Sequence, residues 1–186
     1  SGNWLLDPDN ITIGAGTAGL NQTFSTSGNV TIEPNSIKSA LNNGNVTLQA
    51  NHDIIVSSPI SASTDHILEL DAGHSIFLNE NIILSTATAG SASTLFLSAN
   101  DPRGSGNGAD ASIAQVIGKN IFADNITLNL SGASNGIGSP SVPLVLGDQN
   151  KNIVLTVNTA SNTYLQTQAA VTQISSAGVT VGSNAF

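Results

Sequence analysis

The 186-residue chain contains no cysteine and no methionine. A disulfide framework and thiolate metal sites are therefore excluded. An oxidising compartment is still open to a chain whose core is large enough to do without cross-links. Basic residues are almost as scarce: Lys38, Arg103, Lys119 and Lys151 stand against twelve Asp and Glu, a formal net charge of −8. Nucleic-acid binding needs several Lys or Arg set against phosphates, so that class is excluded. Adsorption to an anionic membrane fails on the same count. No apolar run approaches the ~20 residues of a membrane-spanning helix, so no membrane insertion is expected, and no signal peptide is visible. The first residue is Ser rather than Met, from which a processed or excised chain is expected.

Charged residues make up 9% of the chain, against ~25% in ordinary globular proteins. Asn, Ser, Thr and Gly take their place, so solubility depends on hydroxyls and amides. The Leu/Glu/Lys/Arg mixture of surface helices is missing, which argues against helices. Val, Ile and Thr instead occur in short runs broken by Asn, Gly, Ser and Asp, the signals of strands and turns. Disorder is disfavoured because 39% of residues are hydrophobic and they recur regularly.

The recurrence has a period. Alternating runs include Asn10-Ile-Thr-Ile13, Asn29-Val-Thr-Ile32, Leu95-Phe-Leu-Ser-Ala99, Ile126-Thr-Leu-Asn-Leu130 and Ile153-Val-Leu-Thr-Val157. The segment Val46-Thr-Leu-Gln-Ala-Asn-His-Asp-Ile54 superposes on Leu68-Glu-Leu-Asp-Ala-Gly-His-Ser-Ile76 at an offset of 22, and Ile60 on Ile82 at the same offset. A further copy begins at Leu95, 27 residues after Leu68. Three short apolar runs per repeat of about 22 residues describe one coil of a parallel β-helix, each strand pairing with its equivalent in the next coil. The expected fold is all-β, a right-handed parallel β-helix of about eight coils, with residues 1–186 forming one segment and loops inserted near 100–112 and 134–143. Leu48, Leu70 and Leu97 are expected in one inward column and Ala50, Ala72 and Ala99 in the next. Ile54 should stack on Ile76, and Ile60 on Ile82. An antiparallel sandwich gives no reason for a 22-residue self-match, and the consensus of a leucine-rich repeat is missing.

The run Trp4-Leu-Leu-Asp-Pro8, followed by Asn10-Ile-Thr-Ile13, resembles a segment of filamentous-haemagglutinin-like exoproteins, the large passengers of two-partner secretion systems. The rest of the chain resembles that family in its Asn-Val-Thr-Leu strands and low charge. The resemblance implies an elongated right-handed β-helix on a secreted or cell-surface bacterial protein. It also implies adhesion or haem acquisition as family functions, a host-cell receptor or glycan as partner, and an outer-membrane partner for secretion of the parent protein. The Asn-Pro-Asn-Gly/Leu motif of the family's secretion domain is not found, so an internal or distal section of the rod is expected.

Candidate sites are sparse. A glycosidase needs two carboxylates facing one cleft. The acids of the clearest repeat, Asp53, Asp65, Glu69, Asp71 and Glu80, do not stack on one another: the offset puts Gln49 over Asp71 and Thr47 over Glu69. They read as solvated outward positions, and no catalytic residue is assigned. His52 and His74 share a column, and paired imidazoles are a start on a metal or haem site. The spacing implies no third ligand, so they read as turn residues, and no metal or cofactor is assigned. The longest break in the repeat, from Asn100 to Ser112, carries Gly104, Gly106 and Gly108. A single Gly106-x-Gly-x-Asp110 is too little for a calcium array, and a protruding recognition loop is expected there, with Asn100, Asp101, Arg103, Asn107 and Asp110 as its polar residues. Asn10, Asn21, Asn29, Asn45, Asn125 and Asn129 head Asn-x-Ser/Thr sequons. They are candidate N-glycosylation acceptors only, since a chain this rich in Asn, Ser and Thr yields nearly as many by chance.

The function expected is a structural and adhesive module, not an enzyme, that binds a receptor or glycan or spaces other parts of a rod. The alternative is a carbohydrate-active β-helix enzyme, a lyase or glycosidase. An ice-binding surface lattice is disfavoured because Thr86-Ala-Thr88 is not repeated at coil period.

Overall fold

The structure is a computed structural model that describes residues 8–16, 28–104, 106, 108–132, 134–148, 151–168 and 171–176. β1 (Asn10–Ile13) and β2 (Asn29–Ile32) are followed by α1 (Pro34–Leu41). Then come rounds of three short strands: β3 (Val46–Ala50), β4 (Ile54–Val56) and β5 (Ile60–Ser63); β6 (Ile67–Ala72), β7 (Ile76–Leu78) and β8 (Ile82–Ser85). The third round is β9 (Thr94–Ala99), β10 (Ser112–Gln115) and β11 (Ile121–Phe122), and the fourth is β12 (Asn125–Leu130), β13 (Gly136–Ile137) and β14 (Leu144–Leu146). A fifth has β15 (Ile153–Thr159) and β16 (Leu165–Thr167), with Thr163 bridging Ile137 between them, and β17 (Val171–Ser176) follows.

From β3 on, consecutive strands enter different sheets, and from the first to the fourth round each sheet gains one strand per round. The first sheet runs β3-β6-β9-β12-β15-β17, the second β2-β1-β4-β7-β10-β13, and the third β5-β8-β11-β14-β16. All the pairings between these strands are parallel. Three parallel sheets and one helix among the described residues make an arrangement consistent with a parallel β-helix or solenoid.

The register follows the alternation. Leu48 pairs with Leu70, Leu70 with Leu97, Leu97 with Leu128 and Leu128 with Val157. Ala50 pairs with Ala72, Ile54 with Ile76 and Ile60 with Ile82. All of these side chains are buried, while Thr47, Gln49, Thr127 and Thr156 on the alternate positions are partly exposed. A slip of one residue would turn every Leu outward, so the core fixes the register. The step along the Leu column is 22 residues from Leu48 to Leu70, then 27 to Leu97, 31 to Leu128 and 29 to Val157. The 22-residue coil thus holds for the first step, and the later coils lengthen at their corners.

The composition led to an expectation of no helix, yet α1 forms. Pro34 occupies its first turn, where a missing N–H costs nothing and the fixed φ suits the helix. Ile37 and Leu41, four apart and so on one face, are both buried. The helix packs beside β5, the edge strand of the third sheet, and Thr64 Oγ1 donates to the Leu41 carbonyl at 3.0 Å. The sheet edge is thereby covered. The inserted loop expected at 134–143 is divided: Gly136 and Ile137 pair with Ser112 and Ile113 as β13, and the turn beyond is closed by Ser139 N–H donating to the Val142 carbonyl.

Candidate functional site

At the corner between the first and second sheets, the first three rounds carry three versions of one connection. In the first two rounds it is short: Asn51-His52-Asp53, then Gly73-His74-Ser75. The backbone ladder continues through it, with His74 N–H donating to the His52 carbonyl and Asn100 N–H to the His74 carbonyl, each at 2.8 Å. In the third round the same corner expands to residues 100–111. The expanded loop does not project away from the rod. It folds back over the two corners that precede it.

Glycine permits this return. Gly106 N–H donates to the Asn51 carbonyl at 2.9 Å. A Cβ on Gly106 would lie 2.7 Å from His52 Cδ2, and one on Gly73 would lie 2.9 Å from Gly104 Cα. Loop backbone thus rests on corner backbone and on the His52 ring, where no side chain fits. Asn100 starts the loop in the left-handed region, φ 53°, which Asn tolerates better than most residues. Its Oδ1 accepts from Gly108 N–H at 3.0 Å, and its Nδ2 donates to the Ser131 carbonyl at 2.7 Å.

Two ionic clusters hold the loop down. Arg103 reaches the outer face of β6, where Nη2 donates to Asp71 Oδ2 at 2.7 Å and to Asp101 Oδ2 at 2.6 Å, and Nε donates to Asp101 Oδ1 at 3.0 Å. Asp71 is thereby fully buried, a correction to its reading as a solvated position. Its pKa is raised to about 7 by burial, then by the charge of Glu69, against the opposing pull of Arg103. Asp101 is shifted the other way, below the usual carboxylate value, chiefly by its hydrogen bonds from Arg103.

The second cluster surrounds His74. Its Nδ1 lies 2.8 Å from Asp53 Oδ1 and its Nε2 3.1 Å from Asp110 Oδ1. Partial burial pulls the His74 pKa down, but the hydrogen bonds and charges of both carboxylates outweigh it and hold it above the ordinary histidine value. Asp53 is itself fixed, accepting from Ser75 N–H at 3.0 Å. His52 stacks against His74, ring centroids 5.5 Å apart and tilted by 48°. One nitrogen or oxygen from each of His52, Asp53 and His74 lies within 4.8 Å of the other two.

The structure therefore joins signals that the sequence presented separately. The histidine column, the glycine-rich break and two acids of the repeat meet at one corner. Of the expected loop residues, Asn100, Asp101, Arg103 and Asp110 anchor the loop to the rod, and Asn107 lies outside the described residues. Asp53 and Asp110, which spacing did not connect to the histidines, flank His74. The excess of Gly at 73, 104, 106 and 108 was the available signal, since clustered glycines mark close backbone approach.

The other acids serve local structure. Asp65 Oδ1 accepts from Ala87 and Thr88 N–H, Glu80 pairs with Lys119 at 2.9 Å, and Asp124 accepts from Thr86 Oγ1 and from both Ser93 N–H and Oγ–H. Among the sequon asparagines, Asn10 Nδ2 donates to Asn29 Oδ1, Asn45 Oδ1 accepts from Ile67 N–H, Asn125 Nδ2 donates to Thr94 Oγ1, and Asn129 Oδ1 accepts from Asn158 Nδ2. Asn21 lies outside the described residues, as do Trp4 to Asp7 of the Trp-Leu-Leu-Asp-Pro run.

Comparison of the chain with protein-family models, with curated proteins and with solved structures gives no match.

Proposed function

We propose that this chain is a segment of a right-handed parallel β-helix. It would serve as a structural and adhesive module of a large, secreted or surface-displayed bacterial exoprotein of the filamentous-haemagglutinin-like kind. The right hand is proposed because crossovers between parallel strands take it in about 98% of cases. The segment is one rod over residues 1–186. Its expected count of eight coils rests on 22-residue coils throughout, whereas the described rounds lengthen. The partner proposed is a host-cell receptor or a glycan, with an outer-membrane protein exporting the parent chain.

The observation that carries this reading is the loop of residues 100–111. It is spread over two earlier coils and pinned by Arg103–Asp71, Gly106–Asn51 and Asp110–His74. A pinned polar loop on a stiff scaffold presents a fixed surface, as recognition requires, at little further entropic cost on binding. The acids support the same choice over a glycosidase. The carboxyl with the raised pKa, Asp71, resembles a general acid in its ionisation, but it lies sealed beneath Arg103, where no glycosidic oxygen reaches it.

Glycan arrays and host-cell binding test the proposal, comparing the intact chain with one whose residues 100–111 are replaced by the short Gly73-His74-Ser75 corner. Binding by the intact chain that the short-corner chain loses is the expected result. Equal binding by both would remove the loop from recognition. Turnover of a polysaccharide by the intact chain would replace the proposal with the enzymatic alternative.

A further inference from the structure

We propose that His52, Asp53 and His74 form a binding site for a borderline divalent transition ion of the zinc class, with Asp110 as the outer partner that orients His74. This goes beyond the adhesive reading and does not depend on it.

The argument begins with donor chemistry. Two imidazoles and a carboxylate, in a chain without Cys or Met, are a nitrogen–oxygen set that suits Zn(II) and its neighbours rather than soft ions. Calcium takes six to eight oxygen ligands, and two of the three donors here are nitrogens. The three donor atoms already lie within 4.8 Å of one another. A four-coordinate ion with bonds of about 2.0–2.2 Å holds its donors near 3.4 Å apart, so the 2.8 Å contact between His74 Nδ1 and Asp53 Oδ1 opens slightly and a turn of the exposed His52 side chain brings its ring nitrogen in.

The second argument is orientation. A metal-bound histidine almost always donates its other ring N–H to a carboxylate, a backbone carbonyl or water, which fixes the tautomer and raises the basicity of the ligating nitrogen. His74 has this arrangement before any ion enters: Nε2 is 3.1 Å from Asp110 Oδ1, and Nδ1 faces Asp53 at 2.8 Å. The ion takes the place of the Nδ1 proton between His74 and Asp53, and that proton leaves to solvent. The two carboxylates balance the two charges of the ion.

The third argument is preorganisation. Cβ atoms at two loop glycines would crowd this cluster: one on Gly106 lies 2.8 Å from His52 Cγ, and one on Gly108 lies 2.8 Å from Asp110 Oδ1 and 3.5 Å from His74 Cδ2. Bare backbone packs against these rings. The cluster is thus walled by an inserted loop whose glycines leave room for it.

Calorimetric titration of the intact chain with zinc chloride, and separately with calcium chloride, tests the site, with far-UV circular dichroism to establish folding of each variant. One zinc per chain with micromolar affinity is expected, with calcium weaker by at least a hundredfold. His52→Ala and Asp53→Asn should each weaken zinc binding at least tenfold, and His66→Ala should leave it unchanged. Asp110→Asn should weaken it about tenfold at unchanged stoichiometry, the range typical of lost outer partners. Because His52 is exposed and supports no core packing, His52→Ala decides the matter even if Asp53→Asn fails to fold. Absence of saturable zinc uptake, wild-type affinity in His52→Ala, or loss of binding in His66→Ala overturns the proposal.

Discussion

Arg103 Nη2 meets Asp71 Oδ2 at 2.7 Å across 32 residues of sequence, tying the inserted loop of one coil to the outer face of the coil before it. The contact is unequal: Asp71 is inaccessible, whereas the Arg103 side chain remains 56% exposed. Removing the arginine leaves a buried carboxyl without its counter-charge, the costly case for an ion pair. Asp71 has an escape, since its pKa is already raised to about 7 and it can take a proton. Arg103→Ala is therefore expected to cost about 1–3 kcal/mol at pH 8, where an unpaired acid must either stay charged or bind a proton against the pH. It should cost clearly less at pH 5, where Asp71 is mostly neutral in both proteins. Urea denaturation at the two pH values checks this, and equal costs would assign the effect to the Arg103–Asp101 contacts instead of the Asp71 pair.

The same acid gives a contrast along β6. Leu70 is buried between Leu48 and Leu97, while Glu69 is partly exposed and accepts from Thr47 Oγ1 at 3.0 Å. Leu70→Ala should destabilise by about 2–5 kcal/mol through lost transfer energy and a cavity. Glu69→Ala should change little or stabilise slightly, because the Glu69 charge is one of the influences that raise Asp71. Melting temperatures that coincide for the two variants would contradict the register.

The repeat was legible because its physics is local and periodic. Alternation marks which residues face inward, and a matched offset such as Leu48 to Leu70 marks the coil. The helix was missed because its evidence is only Pro34 and the pair Ile37 and Leu41, too little to register against a strand-rich composition. The site was legible only in fragments. His52 and His74 were seen to share a column, yet Asp110 comes from a loop whose direction no periodicity encodes. An insertion can project from a rod or fold back on it with the same composition. What selects the return is the fit of Gly104 and Gly106 onto Gly73 and Asn51, a contact between distant segments. Asp71 was misassigned for the same reason: its strand position faces outward, and only the returning loop buries it.

His74 makes the loop's attachment depend on pH. Its pKa is raised above the ordinary value of 6.5, with Asp53 and Asp110 favouring the charged ring. A raised histidine pKa gives stability that is fully present below the unfolded-state value and lost as pH rises through the folded-state value. Amide exchange at Gly106 and Gly108 should therefore be better protected at pH 6 than at pH 8.5, after correction for intrinsic rates. His74→Gln should flatten the difference. Protection that does not change with pH in the native chain would mean that the two carboxylates do not hold the loop through His74.

Asp124 supplies the opposite sign. Burial would raise its pKa, but hydrogen bonds from Thr86 and Ser93 prevail and lower it. A depressed carboxylate contributes stability above the unfolded-state pKa that is lost as pH falls through the folded-state value. Asp124→Ala also leaves the buried Ser93 without the acceptor for its N–H, a loss of about 1–3 kcal/mol. Its cost should be largest near pH 7 and should shrink as the pH falls below the ordinary carboxylate value of 3.8. A pH-independent cost in urea titrations would contradict the ionised, hydrogen-bonded state.

Three glycines separate crowding from backbone strain. A Cβ on Gly73 would meet the Asn51 carbonyl oxygen, with the Asn51 carbonyl carbon at 2.8 Å and Gly104 Cα at 2.9 Å. These neighbours are all backbone, so none can swing aside. Gly90 has φ +87° but open space around it, and Gly14 has neither strain nor a contact closer than 3.6 Å. Gly73→Ala should thus cost the most, about 2–3 kcal/mol by overpacking, and should release the loop to proteolysis. Gly90→Ala should cost about 1 kcal/mol from its left-handed backbone alone, and Gly14→Ala close to nothing. The ordering matters more than the magnitudes, because only Gly73 is crowded by the returning loop. If the chain with residues 100–111 replaced by the short corner tolerates Gly73→Ala no better than the intact chain does, the crowding comes from Asn51 alone. If it tolerates the change better, the loop backbone lies on that corner as described.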